Sequence, residues 1–539
     1  MRRLCLLASL LLLLLPAGCT RPDTPAAAGV KSRTLLVGNA AEPADLDPPT
    51  VTAYTDMNIV MALFEGLTFI DEQTTRPVPA AAERWETSAD GLTWTFHLRP
   101  NAAWSNGDPL VADDFVQSFR RTVSPRLALE NASYLFPLKN AAAINAGKIE
   151  DPAALGCRAA DAHTLVLTLE RPTPHLPLLT SLTYWYPINP RVLEKFDAMR
   201  NRGTPWTRPG NLVGNGPFTL AEWTPHARVA VVKNPRYWNA AATQLERIEF
   251  FPYEKADAEE HSFRAGQLHV TFSLPVSRIA TWRKRDPAQL RVDPFLQTTF
   301  VSFNTKRPPF DDARVRRAFA LAIDRAAISR TALGGSYAPA FAATPPDSGG
   351  YTARARVDYN PQEARALLAA AGHANGAGLP ALSLQVRNDD LQPVVAEALQ
   401  GMWQQTLGVH VELTPLEQKT WLQNQRTLNY SLSTFSWVGD YPDPLTFLGL
   451  FTGQSGNNWT GWSAPEYDQL IDTAATTTDA ARRLELFQEA EAFLLETAPV
   501  TPVYHGAQTF LIHPAVRGWV PALLGSRRYQ KVSLAPANE

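Results

Sequence analysis

The chain has 539 residues, a formal net charge of −2, and 45% hydrophobic, 10% aromatic and 19% charged residues. That balance describes a water-soluble globular protein of about two to four domains, without the basic footprint of a nucleic-acid binder. Beyond the N-terminus no segment has the length and apolarity of a membrane-spanning helix.

The N-terminus reads as an export signal. Arg2 and Arg3 form a short positive region, and Leu4 to Leu15 form an apolar run broken only by Ser9. An apolar run of about a dozen residues falls short of the ~20 that a spanning helix needs and suits a signal peptide. Ala17-Gly18-Cys19 resembles the bacterial lipobox, whose cysteine carries lipid. Pro16 stands where leucine is usual, with Leu15 one step back, so an ordinary secretory signal cleaved nearby is the alternative. Residues 1–18 are thus expected to be a lipoprotein signal peptide and Cys19 the lipidated residue. The stretch from Thr20 to Gly29 is rich in Pro, Ala and Thr, and residues 19–32 are expected to be a flexible tether. Thr20 is not the aspartate usual for inner-membrane retention, which leaves inner and outer membranes both open.

Strand and helix signals then alternate, which argues for an α/β protein. Thr93 to Arg99 alternates polar and apolar residues, as a half-buried strand does. Leu165 to Leu169 and Val229 to Val232 are further strands rich in branched side chains. The spacing of Val315, Ala318, Phe319, Ala322 and Ile323 predicts helix between Asp312 and Leu333. Pro393 begins another helix, with Val395, Leu399, Met402 and Trp403 inward; Gly408 stops it, and Val409 to Leu413 follows as a strand. The prolines are spread as punctuation, with Pro209-Gly210, Pro308-Pro309 and Pro345-Pro346 marking turns.

Catalytic and metal chemistry leaves no trace. The chain lacks G-x-S-x-G, the phosphate loop G-x-x-x-x-G-K-[ST] and H-E-x-x-H. The ten histidines are scattered without paired ligand spacing. Asp311-Asp312 and Asp389-Asp390 read as solvated loop or helix-start acids rather than an acid/base pair. Of three cysteines, Cys5 leaves with the signal, Cys19 would carry lipid, and Cys157 stands alone as a small, partly buried side chain. No enzyme activity, cofactor or metal is expected.

The most specific stretch runs from Ala82 to Phe119. It holds Trp85, then Gly91-Leu92-Thr93-Trp94-Thr95-Phe96-His97-Leu98-Arg99, then Ala103-Trp104-Ser105-Asn106-Gly107-Asp108-Pro109, and Asp113-Asp114 opening an amphipathic helix. It resembles the signature of the family 5 extracytoplasmic solute-binding proteins, which serve ABC importers of oligopeptides, dipeptides, nickel and related ligands. Leu46-Asp47-Pro48, Leu63-Phe64-Glu65-Gly66-Leu67, Gly214-Asn215-Gly216-Pro217-Phe218, Asn234-Pro235-Arg236-Tyr237-Trp238, Pro308-Pro309-Phe310, Pro465-Glu466-Tyr467-Asp468 and Pro502-Val503-Tyr504 extend the resemblance along the chain. It is nearest to the oligopeptide-binding branch.

The resemblance implies an α/β, two-lobed Venus-flytrap fold with mixed sheets and three domains. The discontinuous first domain would take residues 33–64, 188–298 and 508–539, the second 65–187, and the third, forming the second lobe, 299–507. It also implies the function: capture of an extended peptide between the lobes and delivery to an ABC permease and its ATPase. By position the peptide backbone would pair with strand edges at Thr52-Ala53-Tyr54 and Ser436-Trp437-Val438. Asp440, in Trp437-Val438-Gly439-Asp440, matches the aspartate that holds the peptide amine, with an ordinary turn acid before Pro442 as the alternative. Tyr504 joins the expected ligand contacts. Where relatives carry cations for the peptide carboxylate this chain has Met61, Gln392 and Thr434, and Ser302 replaces an acid. Arg387 and Arg426 are the nearest cations, candidates for a bidentate grip or plain surface residues. The expected partners are short peptides, the permease complex and a membrane reached through lipid; the protein itself is expected to be monomeric. A murein peptide, an opine or another small solute on the same fold, or a sensing or adhesion role, is the alternative.

Overall fold

The computed structural model describes residues 23–389 and 391–535. The expected signal peptide and Cys19 lie outside the described residues. The architecture is α/β and two-lobed, with mixed sheets.

Two four-stranded sheets build the first lobe. In Thr93–Leu98 the side chains of Trp94, Phe96 and Leu98 are buried while those between them are half-buried, the alternation read from the sequence. This strand lies between Ala82–Thr87 and Thr164–Thr168, with Cys157–Asp161 at the edge, all antiparallel. In the other sheet Thr34–Gly38 runs parallel to Arg247–Phe251, followed by antiparallel Arg228–Lys233 and Phe218–Thr224. One continuous core joins both sheets through Leu35, Ile59, Phe96, Phe115, Trp185 and Phe250. Within it the Arg121 guanidinium grips the Asp47 carboxylate at 2.6 and 3.0 Å and also donates to Ala198 O. A buried pair of this kind fixes geometry more than it adds stability; here it pins the segment leading to Thr52.

The second lobe is a five-stranded sheet in the order Val411–Leu416, Leu382–Arg387, Leu432–Val438, Leu290–Phe303, Val500–Leu511. Each face carries its own core, one around Val301, Phe319 and Trp403, the other around Phe300, Phe435 and Phe487. The expected helix from Pro393 spans Gln392–Leu407 and ends where Gly408 turns left-handed at φ 69°. The segment from Asp312 to Leu333 is two helices, Ala313–Leu321 and Arg325–Thr331, because the Asp324 carboxylate accepts from Ala327 N–H and starts the second.

Two long strands, Leu290–Phe303 and Val500–Leu511, run from one lobe into the other. Pro294 pairs with Ala507 and Thr298 with His505, so Phe295, Leu296 and Gln297 face the single residue Gly506. A Cβ on Gly506 would sit 2.6 Å from the Gln297 side chain. The crossing between the lobes is therefore a β-bulge that only glycine permits.

The expected tether over residues 19–32 is overturned for its described part. Pro25–Ser32 is a helix capped by the Thr24 hydroxyl, with Ala26 and Gly29 buried. His269 holds it: Nδ1 accepts from Leu36 N–H at 3.0 Å, and Nε2–H donates to Ala26 O at 2.9 Å. Burial pushes this imidazole down to about 4 from 6.5, so it is neutral and able to play both roles. Replacing His269 by Ala leaves Leu36 N–H and Ala26 O unsatisfied. The expected cost is about 1–3 kcal/mol, read as faster amide exchange confined to residues 25–38. The depressed pKa has the same direction: this docking energy is present above about 6.5 and lost as pH falls toward 4.

Candidate ligand-binding cleft

Asp440 follows the Leu432–Val438 strand on a turn that is fixed on every side. Gly439 N–H donates to Leu296 O of the bulge at 2.7 Å, and Asp440 N–H donates to the Thr446 hydroxyl at 3.2 Å. Tyr441 stacks on His175 of the first lobe, with ring centres 5.5 Å apart. Asp443 receives the Arg483 guanidinium at 2.7 and 2.9 Å.

The first lobe meets this turn with aromatic side chains. Tyr134 and Tyr184 stack at 4.7 Å, and Tyr54 stands at the start of the Tyr54–Leu63 helix. Enclosure by these rings raises the Asp440 carboxyl above its usual range, while the Tyr134 hydroxyl opposes part of that shift. Burial, and after it the Asp440 charge, push the hydroxyls of Tyr134 and Tyr184 upward in turn. Among the described residues no cation pairs with Asp440. A carboxylate taken from water without a counter-ion is the electrostatic signature of a site that awaits one.

A cavity of about 190 Å³ opens beside the carboxylate, with Thr52, Tyr54, Asn58, Met61 and Tyr184 on one side and Val438, Gly439 and Asp440 on the other. Four expected site residues, Thr52, Tyr54, Val438 and Asp440, are thereby brought together from sequence positions almost 400 apart.

The remaining expectations fare differently. Ser436-Trp437-Val438 is a strand, and the neighbouring Leu382–Arg387 strand pairs with it only at Leu432 and Ser433. Its edge from Ser436 onward thus has no strand partner among the described residues. Thr52-Ala53-Tyr54 is not a strand edge: Thr52 is loop, Ala53 is the extended cap of the helix, and Tyr54 is its first residue. Val60, Ala62 and Leu63 bury that helix in the first core, and this burial decides its form. Tyr504 is buried, accepts from Gln392 Nε2 at 3.4 Å and meets the Tyr337 ring edge-on. Arg387 is engaged by Asp389 at 3.2 Å, and Arg426 is exposed at the end of Gln418–Arg426. Neither arginine lines the cavity. Tyr134 and Tyr184 were not anticipated; the run Thr183-Tyr184-Trp185-Tyr186 was the available signal for one, and nothing marked the other. Cys157 is buried and free, its thiol pushed up to about 12 by burial.

The family model described as "Bacterial extracellular solute-binding proteins, family 5 Middle" matches residues 76–459. The chain belongs to that family. Among its relatives, the "Probable deoxycholate-binding periplasmic protein YgiS" of Escherichia coli is 36% identical over 489 residues, 89% of each chain. The "Periplasmic oligopeptide-binding protein OppA" of Salmonella typhimurium is 33% identical over 522 residues, 94% of this chain and 93% of the relative. The structure superposes on the unliganded open form of the murein tripeptide-binding protein MppA with a TM-score of 0.83, at 33% identity, covering 94% of this chain and 98% of the other. Family 5 members are solute-binding proteins, and these relatives are periplasmic.

A cation entering the cleft favours the ionised form of Asp440. Because the empty site holds this carboxyl above its usual range, cation binding in mildly acid solution is expected to release a proton, and affinity to weaken as pH falls through that range. Calorimetry in buffers of different ionisation enthalpy measures the release; its absence would remove Asp440 as the titrating partner.

Proposed function

We propose that this chain is a lipid-anchored extracytoplasmic receptor that captures oligopeptides between its lobes and hands them to an ABC permease with its ATPase. The observation that carries the reading is the Asp440 carboxylate, enclosed by tyrosines at the junction of the lobes with no protein cation to neutralise it. A peptide ammonium supplies that charge and donates hydrogen bonds that are stronger than neutral ones. The unpaired edge of Ser436-Trp437-Val438 accepts the peptide backbone as an added strand, and the loop residue Thr52 lies across the cavity from Val438. Main-chain pairing of this kind binds any sequence, and bridging waters accommodate the side chains. Closure about the bulged crossing would sequester the ligand. Catalysis has no place in this scheme, and Cys19 is the proposed anchor.

A second reading has its own observation. A cavity of about 730 Å³ lies against the crossing strands and is walled by Phe295, Pro339, Phe341, Pro345, Pro521 and Leu523. It suits a solute with an apolar body, the kind named for the YgiS relative.

Thermal-shift measurements with peptides of two to eight residues and with deoxycholate separate the two. The peptide reading expects stabilisation by free-amine peptides that disappears on N-acetylation; stabilisation by deoxycholate alone would replace it. Asp440→Asn is expected to weaken amine-bearing peptides by more than about 1 kcal/mol, roughly fivefold, because the ammonium loses its counter-charge. Unchanged calorimetric affinity would take Asp440 out of the site.

A further inference from the structure

A second cavity adjoins the one beside Asp440 and shares Tyr54 and Asn58 with it. Its volume is about 360 Å³, and its walls include Tyr54 and Phe272 from the first lobe, Phe295 from the bulge and Tyr337 from the second lobe. Only four large hydrophobic side chains are exposed among the described residues, and two of them, Tyr54 and Phe272 at 36% each, stand on this wall.

Their exposure is built into the fold. Phe272 N–H donates to Glu259 Oε1 at 2.7 Å and Ser273 N–H to Oε2 at 3.4 Å. Glu259 itself is buried on the Ala256–Arg264 helix. Its carboxyl fills the space where Gly38 lacks a side chain: a Cβ there would lie 1.6 Å from Oε1. Tyr54 meets the Phe295 ring edge-on at 5.8 Å, and Phe295 is itself displayed by the bulge. The cation at this wall, Arg527, is occupied, lying 3.8 Å from Asp293 and over the Trp519 ring. No free charge awaits a ligand carboxylate here. What awaits cover is aromatic surface, continuous with the ammonium site.

We propose that the cavity walled by Tyr54, Phe272, Phe295 and Tyr337 selects ligands that carry an aromatic side chain close to their ammonium group. This rests on the peptide reading and narrows it. An aromatic side chain buries 150–250 Å² and gains further from edge-on ring contacts, so the cavity favours a phenyl group over a methyl.

The test scans a phenylalanine through the first three positions of tetra-alanine with a free amine and measures each affinity by calorimetry, for the full chain and for Phe272→Ala. At least one phenylalanine peptide is expected to bind about tenfold or more tightly than tetra-alanine. In Phe272→Ala that ratio is expected to fall toward one, and in Phe272→Tyr to be largely kept. Equal affinities across the scan, or a ratio that survives Phe272→Ala, would overturn the selectivity while peptide binding stands. Failure of every peptide, tetra-alanine included, removes the peptide reading and the selectivity with it.

Discussion

The bulged crossing of the two long strands is the constraint on which the rest of the molecule hangs. Three residues of one strand face Gly506 of the other, and each of the three has a task. Phe295 displays its ring to Tyr54, Leu296 ties the ladder to Leu523 and to Gly439, and Gln297 fills the space over Gly506. The Asp440 turn is therefore attached to the crossing itself. Just beyond the bulge the ladder shifts register once more, between Thr299 and Phe300, and its two halves belong to different cores. Motion concentrates where a ladder is interrupted, so the proposed closure would pivot at this crossing and leave the two cores packed.

The electrostatics follow from that placement. Two acids near the cleft are neutralised where they sit, Asp47 by Arg121 and Asp443 by Arg483, and both pairs serve as framework. Asp440 is supported only by hydrogen bonding and by aromatic walls, which raise its pKa without compensating its charge. A half-buried carboxylate in that state binds a cation more strongly than a surface acid would, because part of the desolvation cost is met before the ligand arrives. Tyrosines suit the surroundings: their rings exclude water and their faces are electron-rich. The surroundings of Asp440 are thus a property of the assembled pair of lobes and of neither lobe alone.

Much of the scaffold was legible in the residues. Alternation in Thr93–Leu98 and the run from Pro393 to Gly408 gave elements whose ends fall within two residues of expectation, because period and end signals agree there. The failures share a cause. Pro, Ala and Thr between residues 20 and 29 look like a tether, yet Thr24 and Pro25 are also a helix start, and His269, more than 200 residues away, decides between them. The edge expected at Thr52-Ala53-Tyr54 is the mouth of a helix because its apolar side chains meet the first core. For the site, Asp440 came from resemblance. Tyr134 and Tyr184 carry no spacing that links them to Asp440; only the packing of the lobes brings them together.

The positions expected from the resemblance to face a ligand carboxylate complete the asymmetry. Gln392 and Thr434 are buried at 3% and 1% exposure, and Gln392 Oε1 and Thr434 Oγ1 have no hydrogen-bond partner. Arg387 gives its charge to Asp389, and Asp389 caps the Gln392–Leu407 helix through the N–H groups of Leu391 and Gln392. That helix end, elsewhere a ready anion site, has thus received its anion from within the chain. A ligand carboxylate placed there would lose water and meet an aspartate. In the proposed scheme discrimination is therefore concentrated at the ammonium and the aromatic wall beside it, and the rest of the ligand is left to pairing through its backbone.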